Sequence, residues 1–282
     1  MRIKSLILAG FLAASFVSVA RAQQGVSLAT GYTDFTTWNL LGSATAQNQT
    51  PGNGFTYSSL ALTQPGIGGQ AGAGFAPTPL TMDFNQAFGF NFHFFIPASN
   101  DLRGDGLTFA MSNATFLGAG GSGLGYEGAP SSSVAFAIDT FHFDGEPVSP
   151  SLQILQAGSV TPLAFTETGM GDSIRGRYYQ WYATVNYTPT SDNAGTLTGY
   201  IENLDHPGDV NYTSFAVSAA IDFGALGMVG NPVYYGFTAG NGLATDGHFV
   251  TSAVPVPEPE TYAMMLAGLG LLGFMARRKK SV

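Results

Sequence analysis

The residues in this chain best placed to do chemistry are Asp139, Asp144 and Glu146, three carboxylates within eight positions. A set so close repels itself unless a cation neutralises it. Together with the Phe141 carbonyl, these groups supply the hard oxygen donors that calcium takes. The competing reading is a solvated acidic turn. Phe141 falls on the strand period and is expected in the core, which leaves Phe143 as the ring expected to be exposed. Asp105 stands between Gly104 and Gly106, where by itself it reads as an ordinary turn carboxylate.

Other chemistries lack their residues. The chain has no cysteine, so thiol catalysis and cysteine metal sites are excluded. No serine elbow, zinc motif or phosphate loop is present. Hydrolysis of a glycoside needs two carboxylates about 5 to 10 Å apart across a cleft, and Ala137-Ile138-Asp139 lacks the first member of a Glu-x-Asp strand pair. An enzyme is therefore not expected. His93, within Phe92-His93-Phe94-Phe95-Ile96, is expected to face solvent, His206 sits in a polar turn before Pro207, and His248 is expected to be structural.

The elements that must hold these residues read as strands. No stretch between residues 25 and 250 sustains a helical apolar period over four turns, and short apolar or alternating runs are separated by Gly, Pro, Asn and Asp. Strands are expected over Phe55–Leu62, Phe88–Ile96, Gly106–Ser112, Ser133–Phe141, Tyr178–Tyr187, Thr196–Ile201 and Val233–Ala239. The fold class is all-β in one domain. The glycine-rich stretch from Gly118 to Gly128 contains Leu124 and Tyr126, which suits a binding or packing loop better than a linker.

Both ends of the chain read as addresses. Arg2 and Lys4 precede the apolar run Leu6–Val19, and Ala20-Arg21-Ala22 has the small-x-small pattern cleaved by signal peptidase, so residues 1–22 are expected to be a signal peptide. Fourteen apolar residues are short for a membrane span, which needs about 20. At the other end Pro257-Glu258-Pro259 lies in a Pro-rich linker over 253–261, followed by an apolar helix over 262–276 and the basic tail 277–282. This order resembles the PEP-CTERM sorting signal of Gram-negative bacteria. The resemblance implies an exported protein, anchored transiently in the inner membrane through that helix, with an exosortase-type protease as partner. Between the two ends, residues 23–252 hold three basic residues, Arg103, Arg175 and Arg177, against sixteen acidic ones. Nucleic acid is a poor partner for such a surface.

The order of segments over residues 30 to 252 resembles an L-type, legume-lectin-like domain. The pieces that carry it are Asp34-Phe35 with Leu41-Gly42-Ser43-Ala44, then Gly68 to Gly72, Phe88 to Ile96, Gly104-Asp105-Gly106 through Met111, Gly120 to Tyr126, Ser133 to Thr140, and Tyr235 to His248. The resemblance implies a concanavalin A-like jelly-roll β-sandwich over residues 23–252 and a non-catalytic, carbohydrate-binding role in the cell envelope or exopolysaccharide matrix, with surface polysaccharide as partner.

In that family, sugar hydroxyls are held by an Asp, a glycine-loop N–H and an Asn, with a ring beneath the sugar. Asp105 matches the Asp, Gly121 and Ser122 the glycine loop, and Leu243 and Ala244 the variable loop, while Phe143 and Asp144 are candidates for the remaining contacts. The family's calcium maps to Asp139, Phe141, Asp144 and Glu146. Its transition metal uses a Glu-x-Asp pair and a His, which fall on Ala137, Asp139 and Ser151, so that metal is expected to be lost or weak. A structural matrix protein with a degenerate site remains the alternative, and a polysaccharide hydrolase or lyase on the same fold is a further one.

Overall fold

The computed structural model describes residues 24–27, 33–49, 57–99, 102–175, 181–203 and 214–253. The signal peptide expected over residues 1–22, the Pro257-Glu258-Pro259 motif, the apolar helix expected over 262–276 and His206 lie outside the described residues. Among the described residues no helix is long and apolar enough to cross a membrane.

The described residues form fifteen strands in order: β1 Gln24–Ser27, β2 Asn39–Gly42, β3 Thr45–Gln49, β4 Tyr57–Thr63, β5 Ala71–Phe75, β6 Phe88–Phe95, β7 Gly106–Ser112, β8 Ser133–Asp139, β9 Ser151–Gln156, β10 Ala164–Glu167, β11 Trp181–Ser191, β12 Ala194–Asn203, β13 Phe215–Asp222, β14 Tyr234–Gly240 and β15 His248–Ala253. They form two sheets. The back sheet runs β13-β12-β11-β6-β15-β4-β3, with β1 pairing parallel to β6, and the front sheet runs β10-β9-β8-β7-β14-β5-β2. All other pairings are antiparallel.

The sandwich follows from residue periodicity. In β6 the phenylalanines at 88, 90, 92 and 94 are buried while Gly89, Asn91, His93 and Phe95 are only partly so. That alternation directs one face of the back sheet inward. Each buried phenylalanine contributes roughly 1.5–3 kcal/mol. Phe90 meets Phe109 of β7 at 4.8 Å between ring centroids, and Phe92 meets Phe237 of β14 at the same distance, so aromatic contacts tie the sheets together.

The central strands β7 and β8 are buried along their whole length, which alternation alone does not explain. Their outer face is covered by the glycine-rich segment. Phe116, Leu124 and Tyr126 form a second apolar cluster with Phe75, Ala110, Ala135, Ala137 and Leu155. The loop is therefore a packing element on its inner side. The Tyr126 hydroxyl lies 2.9 Å from Ser133 Oγ, and the Leu124 carbonyl accepts from the Thr238 hydroxyl at 2.8 Å.

The seven expected strands correspond to β4, β6, β7, β8, β11, β12 and β14 and differ from them mainly at their ends, while the other eight observed strands were not among those expected. β8 stops at Asp139 rather than Phe141, and the strand expected from Tyr178 is described from Trp181 onward. Trp181, a core residue, is fully buried.

Candidate functional site

Strand register gathers the candidate residues at one end of the front sheet. Gly106 pairs with Asp139 on one side and with Gly240 on the other, and Asp139 in turn pairs with Ser151. Residues just beyond this row must therefore meet: Asp105 before β7, Thr140 onward after β8, and Asn241 onward after β14. The Thr140 N–H donates to the Asp105 carbonyl at 2.9 Å, and the Thr140 hydroxyl donates to the Gly104 carbonyl.

Asp105 is 3% exposed, and its Oδ2 has no hydrogen-bond partner among the described residues. Burial pushes its carboxyl up to about 6; its own N–H and that of Gly242 pull the other way, and the charge of Glu146 adds to the rise. A Cβ built on Gly242 would stand 3.5 Å from Asp105 Oδ2 and 3.9 Å from Gly121 Cα. The structure thus places Asp105, Gly121 and the loop carrying Leu243 side by side. Gly121 has φ +60°, and a Cβ on it would meet no atom within 4 Å, so it borders open space.

Ser122 follows Gly121 in a short 3-10 turn and is half-buried. Leu243 is 94% exposed, while Ala244 beside it is buried. A buried acceptor, glycine backbone and a protruding apolar side chain suit a neutral, hydroxyl-bearing ligand.

The approach of Gly121 depends on Gly240. A Cβ there would lie 2.6 Å from the Gly121 carbonyl oxygen, closer than side chains tolerate, so only glycine lets the 120–123 backbone cross the end of β14.

Phe143 and Asp144 lie on the neighbouring turn. Phe143 is exposed and packs its ring against Phe141 at 4.8 Å, and Asp144 is exposed. The turn lies within electrostatic range of the row, since the charge of Glu146 raises both Asp105 and Asp139.

The acidic residues do not converge on a common point. Asp139 is buried, and its Oδ1 accepts from the Phe141 N–H at 3.1 Å and the Ser149 hydroxyl at 3.0 Å; its Oδ2 accepts from the Gln153 amide at 2.7 Å. Burial is the chief cause that lifts its carboxyl to about 7. Glu146 turns back on its own loop, accepting the Phe143 N–H at 2.9 Å. Among the described residues no three His, Cys, Asp or Glu side chains form a group that could hold a metal. As arranged, the calcium ligands expected at Asp139, Phe141, Asp144 and Glu146 do not form a cage, because their oxygens are spent on protein donors or face solvent.

Several residues that organise this end went unread in the sequence. Asp246 is fully buried and accepts from the Gly104 N–H at 2.9 Å, the Ser99 N–H at 3.2 Å and Arg175 Nη2 at 2.9 Å. It thereby ties the residue before Asp105 to the loop after Leu243. Asn241 accepts the Gln70 N–H and donates to the Ile67 and Asp246 carbonyls. The available signal was Arg175 itself, one of three basic residues in an acidic domain. Arg103 binds the Thr140 and Ser149 carbonyls, and it lines a pocket of about 220 Å³ with Leu102, Phe141, His142 and Asp172.

Comparison of this architecture with solved structures finds a lectin from Bauhinia forficata in complex with GalNAc, 19% identical, with a TM-score of 0.59 over 78% of this chain and 94% of that one. The domain has the legume-lectin fold. Arcelin-5, a lectin-like defence protein from Phaseolus vulgaris, shares that fold at 21% identity and a TM-score of 0.59, covering 80% of this chain and 93% of its own. Lectin I-B4 from Griffonia simplicifolia in a metal-free form matches at 18% identity and a TM-score of 0.57, over 78% and 94%. These identities show the legume-lectin fold and nothing finer. Residues 255–279 match the PEP-CTERM protein-sorting motif, which marks an exported protein. No curated protein matches by sequence.

Proposed function

We propose that this exported, lectin-like chain is a non-catalytic carbohydrate-binding protein of the bacterial envelope or exopolysaccharide matrix. The observation that carries the reading is the buried, unpartnered Oδ2 of Asp105 beside Gly121 and Gly242. A buried acceptor without a donor costs free energy, and a ligand hydroxyl is the group that would satisfy it. Gly121 and Ser122 would add backbone contacts, Leu243 and Ala244 would form the rim, and Phe143 and Asp144 would close the far side. The lectin fold of the matched neighbours supports the same ligand class.

The sorting tail supports handling by an exosortase-type protease, with the apolar 262–276 segment in the membrane until then and residues 1–22 removed earlier. Pro257, Glu258 and Pro259 would be the processing signal. The acidic balance of residues 23–252 argues against nucleic acid as a partner.

A glycan array of neutral and acidic surface polysaccharides, run on the wild type and on Asp105→Ala, tests the reading. Binding lost in the variant is the expected result; no binding by the wild type to any glycan would move the protein to the second reading, a matrix protein that keeps the sandwich without sugar affinity. That alternative is favoured by the packing role of the 118–128 loop. Turnover of a polysaccharide that disappears in Asp105→Ala would establish a hydrolase or lyase instead.

A further inference from the structure

Asp139 and its neighbours make polar contacts that bear on how this end of the sandwich is held. Asp139 is paired across the sheet with Ser151, and Ala137 with Gln153, so the three positions that the lectin resemblance assigns to a transition metal, Ala137, Asp139 and Ser151, surround one side chain. That side chain is Gln153, itself buried. Its Nε2 donates to Asp139 Oδ2 at 2.7 Å and lies 3.0 Å from Ser151 Oγ.

A second donor faces the oxygens expected to take calcium. Ser149 Oγ, buried, lies 3.0 Å from Asp139 Oδ1 and 2.9 Å from the Phe141 carbonyl. Its single proton serves one of the two at a time. A calcium ion on both oxygens would need them at about 2.3–2.6 Å and would compete for the lone pairs that Ser149 and the Phe141 N–H already engage.

We propose that Gln153 and Ser149 are positioning residues that do with neutral donors what bound cations do in a metal-dependent lectin site, so that the loops at this end form without calcium or a transition metal. The buried Arg175–Asp246 pair, neutral overall, braces Gly104 and the 241–247 loop from the other side. This inference does not depend on the sugar-binding reading: a matrix protein with no glycan ligand would hold the same loops the same way.

Thermal unfolding and metal analysis of the purified full chain test it without any sugar. After treatment with EDTA, the wild type should carry well under one equivalent of calcium or manganese, and its Tm should stay within about 1 °C when millimolar calcium or manganese is added. One retained equivalent, or a rise of roughly 5–10 °C as expected for a site occupied far above its Kd, would overturn the proposal.

Gln153→Glu supplies the second arm, since it replaces the donor with a carboxylate of the same shape against Asp139. In EDTA this variant should melt below the wild type, and added calcium or manganese should restore it. A variant as stable as the wild type and indifferent to both ions would show that the amide does not serve in this way. If the variant does not fold, the wild-type titration alone decides.

Discussion

Arg175 and Asp246 form a buried ion pair in which Nε lies 2.9 Å from Oδ2 and Nη2 donates to Oδ1 at 2.9 Å, both side chains being almost wholly shielded from water. Asp246 also holds the Gly104 and Ser99 amides, so the pair connects the entry to Asp105 with the loop that carries Leu243. Removing one partner leaves an uncompensated charge in the interior. Arg175→Met is expected to lower stability by about 3–5 kcal/mol, measured by urea unfolding. A loss under about 1 kcal/mol would mean that water reaches Asp246.

Asp105→Asn should do the opposite. The folded carboxyl titrates at about 6, above its ordinary 3.8, so its ionisation opposes folding at pH 8 and ceases to do so below 3.8. The amide removes that cost. Stability at pH 8 is expected to rise by about 1–3 kcal/mol while glycan binding falls at least tenfold. A variant that loses stability and keeps binding would return Asp105 to the role of an ordinary turn carboxylate.

The same titration predicts a pH dependence of binding. A sugar hydroxyl donates best to the ionised carboxylate, so affinity should fall as pH drops through about 6. Binding isotherms between pH 5 and pH 8 read the midpoint, and a flat profile would remove Asp105 from the contact set.

His248 sets an acid limit on the fold. It is fully buried with Nδ1 2.7 Å from the Thr63 hydroxyl, and burial depresses its pKa from 6.5 to about 3. The unfolded chain then binds a proton that the folded chain refuses, so this stability is complete above 6.5 and is lost as pH falls toward 3. The slope is about 1.4 kcal/mol per pH unit. Substitution His248→Gln should flatten the acid limb by that amount relative to wild type, in urea titrations at pH 4, 5 and 6.

Leu243 is 94% exposed and has almost nothing to lose in the folded state. Leu243→Ser is expected to leave stability within about 0.5 kcal/mol while weakening or re-ranking glycans on the array. An unchanged array would remove Leu243 from the rim.

The all-β class was legible because glycine-punctuated, alternating runs such as Phe88 to Phe95 have only one half-buried solution. Strand β13, Phe215–Asp222, was passed over because Ala216, Ser218 and Ala220 at alternate positions give weak contrast, and β15 because its pattern runs into the sorting tail. The double burial of β7 and β8 was not visible in either strand's own pattern: it depends on the 116–129 segment that connects them folding back over their outer face.

Sequence by itself determined the sorting tail and the all-β class, since each rests on neighbours in the chain, while the jelly-roll sandwich and the candidacy of Asp105 came from the order of segments that resembles a lectin domain. It also placed Asp139 on a strand and showed alanine and serine where metal ligands would be sought. Tertiary structure decided what fills that space. Gln153 reaches Asp139 only because β8 and β9 pair in one register, and Arg175 meets Asp246 across seventy-one residues. Partners so distant leave no periodicity, because register and side-chain reach are properties of the packed sheets.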